Sequence, residues 1–87
     1  IDPGFGFSKT MEQNYELLSH LDEFRALEKP LVAGLSRKSM IYKKLGITAE
    51  EALNGSSILN TVALMKGASL LRVHDVKEAK QIISFLF

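Results

Sequence analysis

Twice in 87 residues a short apolar run breaks into a charged cluster, and a helical pattern starts at once. Leu31-Val32-Ala33-Gly34-Leu35 runs into Ser36-Arg37-Lys38-Ser39, and Ala68-Ser69-Leu70-Leu71-Arg72-Val73 runs into His74-Asp75. Short apolar runs bounded by polar residues read as buried strands of the parallel kind. Alternation with helices narrows the fold to α/β, with parallel strands and helices packed outside them. Ligands in such folds bind beyond the carboxyl ends of the strands, where both charged clusters fall.

The rest of the chain keeps this rhythm. Residues 1–9 form a Gly-rich loop, in which Gly4 and Gly6 permit close ligand approach. Thr10-Met-Glu-Gln13 matches a capping box. Tyr15, Leu18 with Leu17 beside it, Leu21, Phe24 and Leu27 then recur at spacings of three and four, predicting one amphipathic helix over 11–27, stopped by Lys29-Pro30. After the strand at 31–35, Ser39–Leu45 reads as a short helix closed by Gly46. Thr48-Ala-Glu-Glu51 is a second capping box, opening a helix that runs to Lys66, with a break expected at Asn54-Gly55 and a stop at Gly67. The second strand, 68–73, precedes a third capping signal at Asp75-Val-Lys-Glu78. A last helical stripe follows at Val76, Ala79, Ile82 or Ile83, and Leu86. Two complete strand-to-helix units are thus expected. The opening Ile1-Asp2-Pro3-Gly4, without an initiator Met, reads as the exit from a further strand, so an earlier part of a larger protein is expected to be missing.

A chain of this length is one small domain at most, burying about 60–65% of its unfolded surface. Its net charge of +1 argues against general nucleic-acid binding. The absence of cysteine excludes a disulfide framework and a thiolate metal site, and fits a cytoplasmic protein. No apolar run approaches the roughly 18 residues of a membrane span.

Polar groups gather after each strand. Asp2 ends the first, Arg37 and Lys38 follow the second, and Arg72 with His74 ends the third. Right-handed parallel units put these ends on one side of the sheet. Arg72 and His74, two apart on extended chain, leave it on the same side. One carboxylate, two or three cations and an imidazole around one mouth suit a flat nitrogen heterocycle with a phosphate-type tail. A carboxylate accepts two parallel hydrogen bonds from an amidine-like edge, and Arg stacks on a plane or grips an anion. Plainer readings stand beside these: Asp2 as a solvated loop residue, Arg37-Lys38 as a solvated turn, Ser39 as a helix N-cap, Asp75 as a cap only, Phe5 as packing and His20 as an idle surface residue. On the residues alone, a non-catalytic α/β module that binds a phosphorylated small molecule remains open.

Three stretches carry a more specific signal. Asp2-Pro-Gly-Phe-Gly-Phe-Ser-Lys9, Gly34-Leu-Ser-Arg-Lys-Ser39 and Arg72-Val-His-Asp-Val76 resemble three successive motifs of the dihydropteroate synthases, in order and at about their spacing. The resemblance implies residues 1–87 as the C-terminal fragment of a single pterin-binding (β/α)8 barrel domain, about three strand–helix units of a TIM barrel. It implies condensation of 6-hydroxymethyl-7,8-dihydropterin diphosphate with p-aminobenzoate in folate biosynthesis. Carried over by motif position, Asp2 would bind the amino-pyrimidine edge of the pterin and Lys38 would hydrogen-bond the pterin. Arg72 would stack on the pterin and, with His74, hold the diphosphate. Lys38, Arg72 and His74 are then the catalytic candidates. Phe7 and Ser39 would border the p-aminobenzoate pocket that sulfonamides occupy in the family, and Gly34 and Val73 complete the substrate-binding set. Ser8 stands where many relatives carry Gly. The family's Mg²⁺ ligand is expected outside this chain, which would be inactive alone. Unpaired sheet edges lead to the expectation of a homodimer or other self-association.

Overall fold

Residues 1–6 and 8–87 are described in a computed structural model of the chain, so Phe7 lies outside the described residues. Helix α1 (Met11–Ser19) starts at the capping box read above: the Gln13 N–H donates to Thr10 Oγ1 at 3.1 Å, and the Thr10 N–H to Gln13 Oε1 at 2.9 Å. The predicted single helix over 11–27 divides at His20, and Leu21–Leu27 winds on as 3₁₀ turns. Leu21, Phe24 and Leu27 are spaced by three throughout, which is the repeat of a 3₁₀ helix, not an α-helix. Lys66 Nζ also takes the Ser19 carbonyl at 2.9 Å, helping to close α1 there.

Strands β1 (Val32–Ala33) and β2 (Leu70–Leu71) pair in parallel, with Val32 beside Leu70 and Ala33 beside Leu71. Both are shorter than the predicted 31–35 and 68–73, because regular pairing ends where the Arg72 N–H reaches the Ala33 carbonyl at 3.0 Å. Carbonyls of Leu31 and Ala33 face β2, whereas the Val32 N–H faces the other way and donates to the Ile1 carbonyl at 2.7 Å. Residues 1–2 therefore run along the far side of β1, giving the order Ile1–β1–β2.

Helix α2 (Ser39–Leu45) ends at Gly46 in the left-handed region, as read from sequence. Its N-cap residue is Lys38 rather than Ser39, which is the first helical residue. A 3₁₀ turn at Ala49–Glu51 precedes α3 (Leu53–Met65), so the expected break at Asn54-Gly55 falls instead at Ala52. Gly55 stays helical because α2 passes close by: a Cβ there would lie 2.5 Å from Ile41 Cγ2. Helix α4 (Val76–Leu86) begins after Asp75, whose side chain makes no cap bond. Of its apolar stripe only Ala79 is buried.

Leu31, Ala33 and Leu35 point toward the helices and pack with Leu18, Leu21, Met40 and Ile41 in the core. Tyr15 Oη donates to the Met40 carbonyl at 2.6 Å and ties α1 to α2. The opposite face of the strands carries Val32, Gly34, Leu70 and Arg72, and Leu70 is exposed there. Extents of 36 × 30 × 15 Å describe a slab only two layers thick. No helix among the described residues is long and apolar enough to cross a membrane.

Candidate functional site

Strand register assembles the site. Continuing the pairing two and four residues on from Val32 and Leu70 brings Gly34 beside Arg72 and Ser36 beside His74, all on the helix-free face. Arg72 then crosses the middle strand to reach Asp2, and its Nη1 donates to Asp2 Oδ2 at 2.9 Å. The crossing requires Gly34: a Cβ there would lie 2.8 Å from Arg72 Cζ, with Nη2 closer still. Asp2 Oδ1 accepts the Gly4 N–H at 3.0 Å. The Arg72 hydrogen bond first, and the Gly4 N–H second, hold the Asp2 carboxyl below the usual carboxylate range.

Lys38 leaves the β1–α2 loop on the same face. Its Nζ donates to the Phe5 carbonyl at 2.5 Å and feels both Arg72 and Asp2. Burial first, then the Arg72 charge, lowers its pKa from 10.5, and Asp2 opposes them in part. His74 is held by Ser36, a buried residue the sequence reading passed over. The His74 N–H donates to Ser36 Oγ at 3.2 Å, and Ser36 Oγ lies 2.8 Å from His74 Nδ1. Where the Ser36 hydroxyl donates to Nδ1, the ring proton lies on Nε2, and the other tautomer reverses the two roles.

Two recesses flank this cluster. One, of about 140 Å³, is lined by Gly34, Ser36, Lys38, Arg72, Val73 and His74. The other, of about 470 Å³, shares Lys38 and Arg72 and is lined further by Phe5, Gly6, Arg37, Ser39 and Tyr42. Asp2, Lys38, Arg72 and His74 thus converge on one rim, with Gly34, Ser39 and Val73 in its walls. Asn14, also passed over in sequence, is 2% exposed and accepts the Gly6 N–H at 2.8 Å, fixing the loop that forms one wall.

Two charged groups are spent on each other. Arg37 was counted among the possible rim cations, but its guanidinium grips both oxygens of Asp75 at 2.9 and 3.0 Å and the carbonyls of Ala49 and Glu50. Asp75, read from sequence as a helix cap, is taken up by that contact. The described residues do not compose a magnesium site: no three His, Cys, Asp or Glu side chains converge, and Asp2 is engaged by Arg72.

The chain matches the pterin binding enzyme family over residues 1–74. It belongs to that family. It is 50% identical over 78 residues to the dihydropteroate synthase of Escherichia coli K12, covering 90% of this chain and 28% of the relative. Dihydropteroate synthase from Yersinia pestis, solved with a sulfonamide drug, superposes with a TM-score of 0.95 at 44% identity over 98% of this chain and 31% of that one. The Coxiella burnetii enzyme in complex with pteroic acid gives 0.93 at 42% identity over 98% and 32%. The pterin-binding enzyme chain is therefore an α/β portion of a TIM-barrel fold, as read from sequence, and it spans about a third of the length of the relatives it matches.

Proposed function

We propose that the chain is part of a cytoplasmic dihydropteroate synthase, a transferase of folate biosynthesis, and supplies part of its pterin, diphosphate and p-aminobenzoate sites. The observation that carries this reading is the pair of adjoining recesses sharing Lys38 and Arg72: a condensation needs two ligands meeting at one set of charges. The relatives' complexes with a sulfonamide and with pteroic acid support it.

In this mechanism Asp2 exchanges its bond to Arg72 for two parallel hydrogen bonds from the amino-pyrimidine edge of the pterin. Lys38 donates to an acceptor on the pterin ring. Arg72, once released from Asp2, lies over the ring plane and reaches the diphosphate, and His74 donates its Nε2 proton to a phosphate oxygen. The carbon–oxygen bond to diphosphate breaks with both electrons leaving on oxygen. The amine of p-aminobenzoate, held near Ser39 and Phe7, attacks the pterin methylene cation with its lone pair. One amine proton departs with pyrophosphate or water, giving 7,8-dihydropteroate. Charge stabilisation and alignment accomplish this without a nucleophilic side chain. Any Mg²⁺ that the reaction uses would be held by residues outside this chain.

The test is calorimetry on a full-length synthase carrying these 87 residues. Pteroic acid should bind, and Lys38→Ala should weaken it at least about tenfold, the cost of removing a hydrogen bond to a charged group. Binding of simple phosphates with no response to pteroic acid would favour a non-catalytic anion-binding module instead.

A further inference from the structure

We propose that the Arg37–Asp75 pair is a positioning clamp that sets Lys38 and His74 on their shared rim. The inference rests on the pterin-site reading above and adds to it a pair whose charged ends are engaged with each other.

The argument begins at the backbone. Arg37 sits in the left-handed region at φ 53°, an unusual place for a residue with a side chain. The neighbouring contacts hold it there. Its N–H donates to Ser56 Oγ on α3 at 2.9 Å, and Nη1 reaches the Ala49 and Glu50 carbonyls at 2.7 and 2.8 Å. The left-handed step sends successive side chains apart: Arg37 toward the Ala49–Glu51 turn and Asp75, Lys38 toward the Phe5 carbonyl and the rim.

Its partner closes the geometry. Asp75 follows His74 directly, as Lys38 follows Arg37. The two-pronged contact therefore crosses from the loop after β1 to the loop after β2, one residue away from a rim group on each side. Both side chains are partly covered, at 21% and 23% exposure. A planar fork on a carboxylate fixes angle as well as distance. The Ser36–His74 bonds tie the same two loops from the rim side, 38 residues apart in sequence, so the imidazole is held between two cross-links.

A partly exposed ion pair adds little to stability, whereas a misplacement of about 1 Å at a binding site can cost 100-fold in rate. The clamp should therefore register in ligand binding far more than in melting. In a full-length synthase carrying this segment, Arg37→Lys and Asp75→Asn are each expected to weaken pteroic acid binding about tenfold. The double variant should be no weaker than the worse single one, and Asp75→Glu should restore most of the affinity. The melting midpoint should fall by no more than about 4 °C. Pteroic acid affinity that stays at the wild-type value in the single variants overturns the clamp alone. Losses that multiply in the double variant also overturn it, because the two residues would then act separately. A wild-type protein that binds no pteroic acid overturns the pterin reading itself, and the clamp with it.

Discussion

A methyl group at position 34 would press on the Arg72 guanidinium, and the direction of relief decides the outcome. Overpacking costs about 1–3 kcal/mol when neighbours cannot move. Here the neighbour is the free end of a long side chain that is 57% exposed, so Arg72 swings away and the fold is spared. Gly34→Ala is accordingly expected to leave the melting midpoint nearly unchanged and to weaken pteroic acid binding about tenfold, because Arg72 no longer spans the strand. Lys38 presents the opposite balance. Its pKa is lowered, chiefly by burial, so the folded state releases this proton at a lower pH than the unfolded chain does. Stability therefore rises with pH between the folded value and the unfolded 10.5, and the buried ammonium is a cost at neutral pH. Lys38→Met should raise the melting midpoint at pH 7 while abolishing pteroic acid binding. In the wild type, binding should weaken at alkaline pH with a limb below 10.5, measured by calorimetry across pH. The gathering of Asp2, Lys38, Arg72 and His74 was legible in the sequence because polar residues at the ends of parallel strands have one face to share. Ser36 and Asn14 were not: one acts through cross-strand register, the other through where α1 lands beside the Gly6 loop. Nor could any local pattern separate Arg37 from Lys38, since a single left-handed backbone step divides their fates.

Helix caps were read correctly where the signal is local, as at Thr10 and Gly46, and element lengths were misread where tertiary contacts decide. The stripe from Tyr15 to Leu27 is continuous in sequence, yet the chain changes winding at His20, where Lys66 Nζ donates to the Ser19 carbonyl and Leu21 is fully buried. Gly55 shows the same limit. In isolation it marks a weak point in a helix, and replacing it with Ala should gain about 1 kcal/mol of helix propensity. In the fold its missing Cβ is the space that Ile41 occupies at 2.5 Å, and Ile41 is 2% exposed with a short, branched side chain. A cost of about 1–3 kcal/mol for overpacking exceeds that gain. Gly55→Ala should therefore lower stability in chemical denaturation of the full-length protein. Ile41→Ala, which removes the Cγ2 methyl group of the contact, should cost less in the Gly55→Ala background than in the wild type. Equal costs in both backgrounds would show that the α2–α3 approach does not set the requirement for glycine.

The slab leaves its helix-free face bare, and this sets how the isolated 87 residues should behave. Leu70 on β2 is 57% exposed, and at the end of α4 Phe85 and Phe87 are 88% and 84% exposed. Two paired residues per strand cannot shield the sheet edges, and unpaired edges recruit other chains. Most of the charged rim lies on this same face, so the side that would bind ligand is also the side that would associate. Two cross-links, Asp2–Arg72 and Arg37–Asp75, hold the loops of that rim, and both carboxylates have pKa values lowered chiefly by their Arg partners. Their contribution to folding is present above the unfolded carboxylate range, about pH 4, and is lost as pH falls through the lower folded values. The isolated chain should therefore sediment as species heavier than its 9.7 kDa monomer at micromolar concentration and neutral pH. Association through the bare face predicts that Leu70→Lys shifts the distribution toward monomer, whereas Lys77→Glu on the outer helix leaves it unchanged. A wild-type chain that sediments as a monomer and melts cooperatively would mean that the two layers suffice to cover the apolar surface. An unchanged distribution in Leu70→Lys would place the contact at the α4 terminus instead, where Phe85 and Phe87 are the side chains to replace next.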